Sequence, residues 1–363
     1  MKTQPVLGRT QLFWFFMHAQ IGVGLFSLPA NIYEHAQTDG WISLLVAGVI
    51  VQLVFFCFYI LHKRFPNETL FGICQKASGK VVGKLLIFLL VVYFIAIATL
   101  VLKGFTQLIA IWILNKTPET VFVLLFVSAC LPMLFSTLKQ MGRMLVVSAP
   151  IVLLIPVIAA YAFVYGDYLN LLPVAVTHAT GIMRGVFASM FAINGFIVFS
   201  VVLPYVKGTE KEKLKVISAA HWTVTAIYII VLLTSFITFS HGEMKLLPEP
   251  YLYMIKSFSL TIIERLDLIF LSIWSLSIIT TYVIFVYCGS IGILTLFNST
   301  RYRLVVLLVV LLTVLLELFP LSVYEFSDWV GYINRPSAYL TFLLPVLLVI
   351  FSTRFKKRRG IQA

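Results

Sequence analysis

The residues with the most chemical promise in this sequence have almost no side chain. The stretch "HAQIGVGLFSLPA" (18–30) puts Gly22, Gly24 and Pro29 within eight positions of a long apolar segment. A glycine costs a helix interior about 1 kcal/mol relative to alanine, and a proline about 3. A turn unwound at Gly22–Gly24 frees backbone N–H groups at the start of the next half-helix, where the positive dipole end suits a carboxylate. Carbonyls freed on the preceding half suit an ammonium or a cation. A second interruption lies in "GVFASMFAINGFIVFSVVLP", with Asn194-Gly195 in mid-segment and Leu203-Pro204 downstream, as Leu28-Pro29 follows the first. Gly22 and Asn194 are 172 residues apart, close to half the chain. Taken singly, either glycine also fits close helix packing; the matched pair favours a binding site.

Other candidates sit on helical faces. Tyr93, Ile97, Leu100, Gly104 and Gln107 follow i, i+4, i+7 spacing. Tyr93 can cap a small cavity with its ring and hydroxyl, although a core tyrosine reads the same way. Ser277, Thr281 and Cys288 share a face; hydroxyls there either line a site or bond back to their own helix. Lys103 is expected to snorkel outward. Arg184, Glu264, Arg265, Asp267 and Glu317 fall near segment ends and are expected at an interface with water. The four cysteines (Cys57, Cys74, Cys130, Cys288) are scattered and the six histidines show no metal-ligand spacing. No catalytic constellation, metal site or cofactor motif is readable, so no enzyme is expected.

The elements that must position these residues are membrane spans. Of 363 residues 61% are hydrophobic and 11% charged, with mean hydropathy +1.02, which defines a polytopic membrane protein. A span needs roughly 20 predominantly apolar residues. Ten runs qualify, approximately 10–34, 41–61, 85–113, 119–138, 143–165, 181–206, 214–240, 261–297, 302–321 and 336–353. None alternates strictly, which disfavours a β-barrel. With the N-terminus in the cytoplasm, 20 of the 27 Lys and Arg residues fall on cytoplasmic segments, as the positive-inside rule requires. Both termini are then cytoplasmic. The "RFKKRR" tail directly follows a span and reads as a membrane anchor, not a nucleic-acid patch.

No connection is long enough for a second domain. In "KRFPNETLFGICQKASGKVVGK" (63–84), Leu70, Ile73, Cys74 and Ala77 lie opposite Lys76 and Lys80, the pattern of a short helix at the membrane surface. The connections around 166–180 and 241–260 are expected to cover the extracytoplasmic mouth. Five spans precede the second break, so the two halves enter the membrane from opposite sides. Interrupted segments at corresponding positions of two halves point to a binding site at an inverted-repeat interface. The expected fold is thus a single all-α transmembrane domain with repeats at about 10–165 and 181–353.

"IGVGLFSLPA" resembles the G-x-G-φ-φ-x-L-P signature of amino acid–polyamine–organocation permeases. The whole chain more closely resembles the B subunit of spore germinant receptors, a branch of that superfamily. "DGW" (39–41), "LFGICQKASGKVVGK", "TPETV" (117–121), the sixth-span "LP" and "YINRPSAYLTFLLPVLL" (332–348) carry the resemblance by their order and spacing. It implies ten spans in the LeuT-like 5+5 inverted-repeat fold with broken helices 1 and 6, in the spore inner membrane. It implies assembly with an A subunit and a lipoprotein C subunit, and binding of a small nutrient, typically an amino acid, that triggers germination. Gly22, Gly24, Tyr93, Ile97, Asn194, Gly195 and Thr281 would line the pocket. Where relatives often carry an acidic residue shortly after the sixth-span break, this chain has Ile197 and Val198. The alternatives are a proton- or sodium-coupled amino acid permease and a structural subunit that no longer binds a ligand.

Overall fold

The computed structural model describes residues 6–114, 116–175, 177–258 and 265–358. These residues form helices α1 (Arg9–Gln20), α2 (Gly24–Ala36), α3 (Gly40–Arg64), α4 (Leu70–Ser78), α5 (Lys80–Trp112), α6 (Glu119–Leu134), α7 (Leu138–Val147) and α8 (Ala149–Tyr165). The second half has α9 (Ala179–Ile193), α10 (Phe199–Val202), α11 (Glu210–Thr238), α12 (His241–Met244), α13 (Pro250–Ser257), α14 (Leu266–Phe297), α15 (Tyr302–Glu317) and α16 (Val323–Arg358).

The ten expected spans map onto these helices in order. The first is α1 with α2, broken at Ile21–Val23; the sixth runs from α9 through 3₁₀ turns at Asn194–Val198 and Leu203–Tyr205 around α10. The sixth bends by 50° at its interruption. The Ile21 backbone is extended, which ends α1, while Pro29 is accommodated inside α2. The fifth span divides at Ser148 into α7 and α8, a joint not anticipated from the sequence. By length and hydropathy alone six stretches qualify as spans, one of which, Gly24–Arg64, joins the second half of the first span to the second span across the Gln37–Asp39 turn. The bent sixth span makes a seventh; α6 and α15, at 16 residues each, are shorter apolar helices of about 24 Å. Leu304, Leu308, Leu311 and Leu315 are exposed along α15, as a lipid-facing stripe requires.

α5 and α14 pack along each other at the centre, with α11 against α1 and α3, and α2 against α9. α4 departs from expectation. Leu70, Phe71, Ile73 and Cys74 are fully buried, and the helix packs on α5 and α16 and not on lipid. An apolar helix face fits a protein groove and a bilayer surface equally well, so its pattern alone does not distinguish them.

The face of the molecule that carries the N-terminal segment is closed by backbone pairing. Val6 N and Leu7 N donate to Tyr205 O (2.8 and 2.9 Å), and Lys207 N donates to Leu7 O (3.0 Å). Arg9 Nη1 pairs with Glu212 Oε1 at 3.0 Å beside it. On the opposite face, the 166–178 connection is tied to the first two spans. Thr38 Oγ1 donates to Pro173 O (2.6 Å), and the Asp39 carboxylate accepts from Ala175 N (2.6 Å) and Thr177 N (2.9 Å). α13 lies over α2, where Tyr251 stacks on Phe26 and donates to Ile155 O at 2.9 Å.

Candidate functional site

The two breaks meet at the centre of the protein. A cavity of about 30 Å³ there is lined by Gly22, Gly24, Ile97, Asn194, Gly195 and Thr281, together with Ala19, Gln20, Val101, Ala192 and Phe285. Tyr93 is the one expected site residue not on its wall. It stands behind it, donating through its hydroxyl to Asn194 O at 2.7 Å. A space of this size holds about one water molecule.

Unwound backbone at this depth must find hydrogen-bond partners, and hydroxyls from three other helices provide them, Tyr93 of α5 among them. Thr281 Oγ1 of α14 lies 2.8 Å from His18 O and 3.2 Å from Ile21 O. Tyr228 Oη of α11 lies 2.6 Å from Gln20 O and 3.0 Å from Ala192 O, so one hydroxyl spans both breaks. Gln20 Nε2 donates to Ile193 O (3.0 Å), a direct link between the interruptions. Thr341 of α16 donates to Asn194 Oδ1 at 3.2 Å. His18 sits between Leu145 O (3.1 Å) and the Thr280 hydroxyl (2.9 Å), tying α1 to α7 and α14.

The glycines play different parts. A Cβ at Gly195 would overlap the Ala19 carbonyl oxygen and crowd the Gln20 amide, so this glycine exists to let one break lie on the other. A Cβ at Gly22 would meet only Thr281 Cγ2, at an ordinary 3.4 Å. Gly22 therefore leaves room, whereas Gly195 permits contact. Two buried polar atoms of the site have no hydrogen-bond partner, Gln20 Oε1 and Asn194 Nδ2. One is an acceptor and one a donor. An unpaired buried polar atom costs about 1–3 kcal/mol, and a polar solute between the breaks would relieve both.

Gln20, Tyr228 and Thr341 were missed by sequence reasoning. Gln20 did carry a signal, an amide in an apolar run two residues before Gly22. Tyr228 carried none, as one of 16 tyrosines. Ser277 is fully buried, and its hydroxyl has no partner.

Three charged residues are not where the sequence put them. Lys103 does not snorkel; it is 4% exposed and pairs with Glu119 Oε1 (3.0 Å) and Glu317 Oε1 (3.8 Å). Glu317 is fully buried and accepts from Thr106 Oγ1 at 2.7 Å. Asp267 is likewise buried, held by Nε and Nη2 of Arg265 at 3.0 and 2.8 Å. Each charge lies near a span end in sequence, but neighbouring helices cover it. Arg184 is exposed, and Glu264 lies outside the described residues.

Two discontinuous spans meeting at a central cavity, within an all-helical bundle of this order, define the LeuT-like transporter fold. The structure is similar to that of Mhp1, a nucleobase-cation-symport-1 family transporter solved in a closed conformation with bromovinylhydantoin bound (TM-score 0.65, 13% identity, covering 96% of this chain and 80% of that one). The chain belongs to the spore germination protein family, whose model matches residues 7–322. It is 25% identical over 358 residues to spore germination protein GerQB of Bacillus cereus, covering 96% of both chains. It is 24% identical over 345 residues to spore germination protein YndE of Bacillus subtilis (strain 168), covering 93% of both.

Proposed function

We propose that this chain is the membrane subunit of a spore germinant receptor that binds a small nutrient, in the first instance an amino acid, between its two broken spans. The observation that carries this reading is the meeting of both breaks at one cavity beside an unpaired acceptor (Gln20 Oε1) and an unpaired donor (Asn194 Nδ2). Gly22, Gly24, Ile97, Asn194, Gly195 and Thr281 form the wall of the site, with Tyr93 behind Asn194. The 30 Å³ space is far below the roughly 300 Å³ at which small-molecule pockets begin. Binding therefore separates the breaks, and partner subunits read that change. The family resemblance supports an A subunit and a lipoprotein C subunit as those partners, and the spore inner membrane as the location. The repeats run over about 10–165 and 181–353.

The pocket is tested in spores at matched protein levels. Gly22→Leu is expected to fill the cavity and abolish the nutrient response. Thr281→Val removes the hydroxyl that serves the first break, a loss of about 1 kcal/mol, and should raise the nutrient concentration required about fivefold. Unchanged dose dependence in both variants would remove the site from this position.

The likeness to a solved transporter favours one second reading, a proton- or sodium-coupled amino acid permease. Accumulation of radiolabelled amino acid by the chain alone in liposomes would establish it, and the receptor reading expects none. The distribution of Lys and Arg supports a cytoplasmic location for both termini. Externally added thiol reagent should then label Glu249→Cys but not Lys211→Cys in a background without the native cysteines; the reverse pattern would invert the protein.

A further inference from the structure

A second, much larger cavity opens above the breaks on the face opposite the N-terminal segment. It measures about 510 Å³ and lies between α2, α9 and α16. α2 and α9 are the far halves of the two broken spans, so the cavity walls are the elements that must move if the breaks part. Its Ala188 lies four residues, or about 6 Å along α9, from Ala192 of the central cavity. The vestibule therefore stands one helical turn from the central site.

Its charges do not pair with one another. Glu34 of α2, Arg184 of α9 and Arg335 of α16 all line it. The ion pairs among the described residues involve none of them. The buried Oδ1 of Asn334, from the same wall, has no hydrogen-bond partner. Two guanidinium groups against one carboxylate leave a positive balance. Guanidinium is the side chain best matched to a carboxylate, which it can bind with two parallel hydrogen bonds. Glu34 complements an ammonium, and Phe187, Met190 and Val330 supply apolar wall.

We propose that this vestibule is a recognition site of its own, which takes a small zwitterion, an α-amino acid, through its carboxylate at Arg184 and Arg335 and its ammonium at Glu34. The choice of solute rests on the nutrient-binding role proposed above; the new element is where that solute is first held. With the breaks closed, the vestibule has room for a whole amino acid and the central cavity does not. Occupancy here precedes any opening below, and the vestibule charges set which solutes are admitted.

The test uses the full-length protein in lipid nanodiscs, with each of the twenty common L-amino acids as a radiolabelled probe. At least one should bind saturably, and the tightest is carried forward. Its decarboxylated amine should compete at least about tenfold more weakly. Arg184→Gln and Arg335→Gln should each weaken binding about tenfold or more, with partial recovery in Arg184→Lys. Gly331→Trp should fill the vestibule and abolish binding; a Cβ at Gly331 meets nothing within 4 Å, so the backbone accepts a side chain there, and an unchanged melting temperature confirms the fold. Gly22→Leu, which fills the central cavity, is measured alongside them. If no probe binds, or if Gly331→Trp and both Gln variants bind as the parent does, the vestibule site is wrong. Binding abolished by Gly22→Leu and untouched by the vestibule variants would also overturn it, yet would leave the central site standing.

Discussion

Spores whose receptor carries Gly195→Ala are expected to lose the nutrient response altogether, whereas Gly22→Ala should leave it nearly normal. Each change adds one methyl group to a glycine at a break. At Gly195 the methyl would overlap the backbone carbonyl of Ala19, which cannot turn aside without moving α1. Overpacking of this kind costs about 1–3 kcal/mol even when side chains can yield, and here backbone must yield. At Gly22 the nearest atom is a methyl of Thr281 at 3.4 Å. Thermal unfolding of the purified variants, beside immunoblots of spore membranes, checks the contrast. Equal melting temperatures for Gly195→Ala and the parent would show that the breaks are not in register as described.

Lys103→Met is expected to destabilise the protein by about 3–5 kcal/mol, because it leaves the carboxylate of Glu317 buried without its cation. Glu317 is fully buried and one of its oxygens, Oε2, already has no partner. The double variant Lys103→Met/Glu317→Leu should recover most of the loss, since removing both members of a buried pair is often close to neutral. Glu119, with its side chain 40% exposed, can be left to water. Thermal unfolding reads both effects; a double variant as unstable as the single one would mean that the pair is not the source. The nutrient response should follow stability, since the pair stands apart from the central cavity's walls.

What the sequence disclosed depended on whether a signal was local. Span order and both interruptions were legible because glycine, proline and Asn194 stand out in apolar runs, and the physics of a broken helix is contained in a few consecutive residues. The division of the fifth span at Ser148 had no comparable mark. Lys103, Glu317 and Asp267 were misplaced because a charge near a span end looks the same whether water or another helix covers it. Their burial comes from α5, α6, α14 and α15 packing together. The apolar face of α4 is equally ambiguous in sequence, and it is α5 and α16 that cover it. Tyr228 serves both breaks from α11, and only the assembled fold brings it there.

The bonds that run from one break to the other also set how readily the two can part. The Tyr228 hydroxyl lies against both Gln20 O and Ala192 O, and the Gln20 amide donates to Ile193 O. At a net 0.5–1.5 kcal/mol apiece, two such bonds favour the closed arrangement by about 1–3 kcal/mol. Reversing a two-state population from 1:99 to 99:1 takes about 5.5 kcal/mol of differential binding. The restraint on the breaks is thus of the size that one well-matched small molecule can overcome. On the proposed nutrient-binding reading, the binding energy of a single solute is then enough to part the breaks.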